Sequence, residues 1–197
     1  MTSRRCCMVL GLVLVGLALG LPAPVHAQID QATRQQISQL AGQLDQANQA
    51  GRYADSERIS RELLRISQRV RRPDLIALSL QNVGRAVHEQ RKYEEAEPYY
   101  LAALKSGDLD EYFTSSTLHH LARLHDDQGH YAKAAKIYEA TLENEEKRLG
   151  KHDPELVKTL NNLASAYASL HRLDDAERIL GRSMTLLKQQ DPPNEDM

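Results

Sequence analysis

Three groups of residues have side chains able to act on something outside the fold. The first is "LHHLARLHDDQGH", Leu118 to His130, where His119, His120, His125 and His130 lie close to Asp126 and Asp127. Imidazoles and carboxylates ligate metals, but a chelating pair on one helix needs a spacing of three or four residues. Successive histidines here are separated by one, five and five. A metal-dependent hydrolase built on them therefore ranks last among the functional readings. "HEQRK" at His88 begins like a zinc-protease helix and lacks its second histidine four residues on. With no phosphate-cradling glycine loop, no serine elbow and no cysteine after Cys7, neither an enzyme nor a cofactor is expected.

The second group is the arginine stripe of "SERISRELLRISQRVRR". Arg58, Arg61, Arg65 and Arg69 recur at helical spacing and suit weak contact with anionic lipid head groups or an acidic partner. An ordinary solvated convex face is the better explanation of the stripe, since Leu63, Leu64 and Ile66 make too small an apolar face to insert in a membrane. The third group is polar and amide-rich: Asn161 and Asn162 interrupt the leucine, alanine and tyrosine of "KTLNNLASAYASL", although asparagine competes with the helix backbone for hydrogen bonds. At about 100° per residue from Leu160, the side chains of Asn161, Ser165, Lys158, Ser169 and Asn162 form one continuous polar side.

These groups must be carried by helices. The 197-residue chain is 41% apolar with one Phe and no Trp, so its core is built from Leu, Ala, Val, Ile and Tyr, which favours an all-α fold. Arg4 and Arg5 followed by the apolar run Cys6 to Leu21, Pro22, Pro24 and "VHA" read as a cleavable signal peptide over 1–27, cut between Ala27 and Gln28. The run is too short for a span of about 20 residues, so no integral membrane span is expected after cleavage, and the protein is expected in the periplasm or secreted. Both cysteines lie in that signal, leaving a mature chain without disulfides. Setting Arg4 and Arg5 aside, 23 Lys and Arg remain against 27 Asp and Glu, a balance that argues against nucleic acid as a partner. The tail "DPPNEDM", 191–197, is expected to be disordered.

Between signal and tail the chain repeats. "GRYADSE" at Gly51, "RKYEEAE" at Arg91, "GHYAKAA" at Gly129 and "HRLDDAE" at His171 align without gaps. Each sets a bulky residue (Tyr53, Tyr93, Tyr131, Leu173) three before a small one (Ser56, Ala96, Ala134, Ala176), at periods of 40, 38 and 42. Upstream of each anchor runs an amphipathic helix, clearest in Leu156, Leu160, Leu163, Ala164 and Tyr167, and downstream a second, as in Leu173, Ala176, Leu180 and Leu187. Asp153, Pro154 and Glu155 are a helix N-cap, first-turn proline and dipole-matched acid. The small anchor lets paired helices approach, and the bulky residue is expected to fill the gap beside their crossing. A single array over 28–190 follows, with units at about 30–71, 73–106, 109–150 and 153–190.

These units resemble tetratricopeptide repeats. The period near 42 and "LGKHDPELVKTLNNLASAY", Leu149 to Tyr167, are most similar to the longer repeats of kinesin light chain and its bacterial relatives; "RRPDLIALSLQNVG" is a looser copy, and in the first unit Ser60 stands where Tyr100 and Tyr138 stand in later ones. The resemblance implies a right-handed superhelical solenoid of four hairpins whose first helices line a concave groove. It also implies that the groove binds a protein or peptide segment, as an adaptor or scaffold. Asparagines at the places of Asn82 and Asn162 would hold peptide backbone, with Arg85, His120, Arg123, Lys158 and Ser165 beside them, while Gln81, His119 and Asn161 share the polar side. His120 departs from the asparagine pattern. A rival reading is a structural subunit assembling through its last helix, where Ile179, Met184 and Leu187 have no later unit to cover them.

Overall fold

The computed structural model describes residues 29–106 and 110–190; the expected signal segment and the tail 191–197 lie outside them. Among the described residues eight α-helices form four hairpins: α1 (Gln31–Gln49) with α2 (Tyr53–Arg69), α3 (Pro73–Glu89) with α4 (Tyr93–Leu104), α5 (Glu111–Asp127) with α6 (Tyr131–Leu149), and α7 (Val157–Ser169) with α8 (Leu173–Gln190). Each helix packs on the helix before it and the helix after it, and α3 also touches α5. Contacts thus stay between near neighbours, the signature of an all-α repeat solenoid whose stability is close to a sum of hairpins and the interfaces between them.

Helix ends follow local chemistry. The Asp30 carboxylate accepts from the Thr33 backbone N–H at 2.9 Å, and that of Asp110 from the Phe113 N–H at 2.6 Å. Asp153 caps as its sequence implies, accepting from the Glu155 N–H at 2.8 Å, but the first turn it caps is a 3-10 turn, Pro154–Leu156, that leads into α7. Inside each hairpin the chain reverses at Gly51, Arg91, Gly129 or His171, all with positive φ (65°, 61°, 76° and 58°). There the following N–H reaches back to the carbonyl of Ala47, Val87, His125 or Tyr167, closing the same six-residue loop at each turn. Arg91 and His171 hold a left-handed conformation that glycine adopts without steric cost, so the turn is imposed by the packing of the two helices at those places.

The four small anchors Ser56, Ala96, Ala134 and Ala176 are all buried, and the upstream stripes close over them. Leu156, Leu160, Leu163, Ala164 and Tyr167 join Ala134, Tyr138, Leu142 and Ile179 in the largest apolar cluster. Of the bulky anchors, Tyr53, Tyr93 and Tyr131 are half-buried, whereas Leu173 is 64% exposed and fills no gap, and Leu180 of the same helix is exposed as well. Ile179, expected to lie uncovered, is instead in the core. Helices α3 and α4 approach closely at Gly84, where a Cβ would lie 2.9 Å from Cε1 of Tyr100 and 3.2 Å from the Cβ of Tyr99. Tyr100 has no exposed surface into which its ring could move. Gly84→Val is therefore expected to lower unfolding free energy by about 2–3 kcal/mol through overpacking, read as a shift of the urea midpoint with unchanged slope.

Candidate functional site

The first helices α3, α5 and α7 are joined side by side by a polar ladder. Gln81 Nε2 on α3 donates to Thr117 Oγ1 on α5 at 2.8 Å, and His119 Nε2 on α5 lies 2.8 Å from Thr159 Oγ1 on α7. The two links join equivalent turns: Gln81 and His119 share one position of the repeat, and Thr117 and Thr159 share the position two residues earlier. Glu145 of α6 completes the second rung, 3.3 Å from His119 Nε2 and accepting from the Thr159 hydroxyl; these hydrogen bonds hold its carboxyl below the ordinary value against the effect of burial. Gln81 and His119 were read from the sequence as part of the open polar side. They are instead committed between hairpins, because their angle on the helix points at the next first helix. Their equivalent on α7, Asn161, is exposed, and its Oδ1 accepts from Ser183 of α8 at 2.8 Å.

One residue further along each helix lies the candidate row. Asn82, His120 and Asn162 occupy equivalent places and are all half-buried; Arg85 and Arg123 are half-buried one turn on, with exposed Ser165 at the same place on α7, and exposed Lys158 precedes Asn162 by one turn. His120 is their centre. Its ring stacks on Tyr100, with centroids 5.7 Å apart and planes 7° from parallel. Burial pushes its pKa down to about 3, aided by the positive charges of Arg85, Arg123 and Lys158, so the first helices α3, α5 and α7 each bring a cation near one neutral imidazole. Arg85 Nη2 makes a long contact of 3.5 Å with Asn82 Oδ1, while Arg123 is paired with Glu89. The row therefore offers two amides, a flat ring and the charges of Arg85 and Lys158.

His88 and His125 are absorbed by the fold. Buried His88 lies 2.8 Å from Asp127 through Nε2 and is edge-on to Tyr93 and Tyr100. Buried His125 lies 3.6 Å from Glu97 and faces His130 at 6.0 Å. With His119 held by Thr159 and Glu145, and His120 against Tyr100, the four histidines of the third hairpin serve separate contacts rather than one centre. The arginine stripe also divides. Arg61 turns onto the second hairpin, bonding Glu57, Glu95 at 2.8 Å and the Tyr99 hydroxyl at 2.6 Å, and so leaves the surface row to Arg58, Arg65 and Arg69. Arg58 in turn lies 3.8 Å from Asp55. Tyr100, which orders the candidate site from beneath, carried no functional signal in the sequence beyond its place in the helix stripe.

A row of stacked helical hairpins, joined through their first helices and presenting a fixed polar face, defines a repeat scaffold for protein–protein interaction. The chain belongs to the tetratricopeptide repeat family, whose model matches residues 41–106 and 112–189. Its repeats are like those of kinesin light chain: it is similar to a kinesin light chain protein of Podosopora anserina with nearly identical TPR-like repeats (15% identity, 84% of this chain and 81% of that one, TM-score 0.67). A singly substituted variant of that protein aligns at 16% identity over 84% and 79% of the two chains, with a TM-score of 0.69. BtubC (BKLC) of P. vanneervenii aligns at 19% identity over 82% of this chain, with a TM-score of 0.54; the chain spans 59% of its length. No curated protein matches. At these identities the structural likenesses speak for the fold alone.

Proposed function

We propose that the face carrying Asn82, Arg85, His120, Arg123, Lys158, Asn162 and Ser165 is a concave groove that binds an extended, acidic peptide segment, and that the protein serves as an exported adaptor. The reading is carried by the row itself: Asn82, His120 and Asn162 stand at equivalent places on the first helices α3, α5 and α7, with the positive charges of Arg85, Arg123 and Lys158 near enough to depress the His120 imidazole. Asn82 and Asn162 flank that centre, and each amide can both donate to and accept from the backbone of an extended chain, whatever its side chains. Arg123 is already balanced by Glu89, so Arg85 and Lys158 supply the charge for an acidic side chain or terminal carboxylate. Preorganisation supplies affinity: His120 is fixed by Tyr100 and the helices by the polar ladder, so little is left to order on binding. Export rests on the sequence of residues 1–27, and a soluble array of this size suits a bacterial periplasm.

Selection from a displayed library of random peptides is expected to enrich Asp and Glu over the library composition. The double variant Arg85→Glu with Lys158→Glu is expected to weaken the enriched peptides at least tenfold, and the wild-type affinity to fall with added salt. Enrichment without acidic preference, or binding indifferent to the double variant, rejects the groove reading.

A further inference from the structure

The last helix carries a second surface that the groove does not use. Leu173, Leu180, Met184 and Leu187 are 64%, 44%, 56% and 47% exposed. Their spacings of seven, four and three residues set them within about 60° of one another on α8, along the border of the side on which Ala176, Ile179, Ser183 and Leu186 face the core. The neighbouring first helix adds little apolar area to this end of the array, since Asn161, Ser165 and Ser169 are its exposed residues there with Ala168. Gly181, about 60° beyond Met184 on the outer side of the stripe, has open space where a Cβ would stand and allows another helix to come close.

We propose that α8 pairs with α8 of a second copy of this chain, antiparallel and centred between Leu180 and Met184. Two observations select this occupant. Among the described residues the opposite end of the array is polar: Arg34, Gln35, Gln36, Ser38, Gln39 and Gln43 are exposed on α1, so stacking of α8 on α1 would leave the apolar stripe facing polar side chains. The stripe is also charge-complementary to itself only when reversed. Its outer edge begins with the acids Asp174 and Glu177 and ends with Lys188, all exposed. A two-fold axis through the stripe's centre sets Leu180 against Met184 of the other copy and Glu177 against its Lys188, whereas parallel pairing opposes like charges. None of Asn82, Arg85 and His120 lies on α7 or α8, so the pairing is tested separately from the peptide reading.

Light scattering coupled to size exclusion tests it on the purified chain. The expected result is a concentration-dependent mass approaching twice that of the monomer, returned to the monomer mass by Met184→Asp with the helical circular dichroism unchanged. Lys188→Glu is expected to weaken dimerisation, and the reciprocal pair Glu177→Lys with Lys188→Glu to restore it. A chain that stays monomeric at the highest soluble concentration overturns the proposal. So does a dimer that survives Met184→Asp, or a reciprocal pair no better than Lys188→Glu alone.

Discussion

Tyr100→Ala is expected to destabilise the protein by about 3–5 kcal/mol, the largest effect of any single truncation at the candidate site. The ring has no exposed surface, and it stands at a junction. One face stacks on His120 of the third hairpin, its edge meets His88 of its own, second hairpin at 6.3 Å and 84°, and its Cε1 and Cδ1 fill the space over Gly84. Collapse of the neighbours cannot refill that volume, because Gly84 has no side chain and Val83, Val87 and Leu124 around it are already buried. Tyr100→Phe isolates the hydroxyl. Its contact with His88 Nδ1 is 3.5 Å, too long for a strong hydrogen bond, so the loss is expected to stay below about 1 kcal/mol. Urea denaturation of both variants measures the difference; equal losses for Ala and Phe would show that the ring does not hold the second and third hairpins together. Peptide binding should weaken in Tyr100→Ala at temperatures where it is still folded, since His120 loses its platform.

Acidification is expected to destabilise the wild type, with His120 as the main contributor. Burial holds His88, His120 and His125 below the ordinary imidazole value, His120 at about 3. The sign follows from proton binding. Below about pH 6.5 the unfolded chain takes up protons on these rings and the folded chain does not, so stability falls as pH falls. For His120 the loss runs at about 1 kcal/mol per pH unit from pH 6.5 towards its folded value, and His88 and His125 add to it. Asp127 beside His88 moderates that residue's share, and Asp126, whose carboxyl burial raises, works weakly in the opposite direction. Glu145 steepens the decline below pH 4.5, because its folded carboxyl is depressed. The informative variant is His120→Asn, which places at the third hairpin the residue already present at Asn82 and Asn162. Its unfolding free energy should vary less between pH 7 and pH 5 than that of the wild type. An unchanged pH slope would mean that His120 takes up its proton in the folded state.

The four hairpins were legible because their signals are local and repeated: bulky and small anchors at periods of 40, 38 and 42, and apolar stripes that one hairpin cannot bury alone. Helix periodicity gives each residue an angle about its own axis, and that fixed the buried faces of α3, α5 and α7. It does not say what stands opposite. Gln81 and Asn82 differ by one step of that angle, yet Gln81 bonds Thr117 of the next first helix while Asn82 stays on the candidate face. The same step separates His119, held by Thr159 and Glu145, from His120 on Tyr100. Likewise the spacing of the arginine stripe showed one helix side, and only the second hairpin drew Arg61 off it. The sequence by itself thus determined that this protein is a stack of helical pairs, and which side of each helix is apolar. The tertiary structure decided which polar residues tie hairpins together and which remain to meet a partner, because that choice depends on where the neighbouring helix lies.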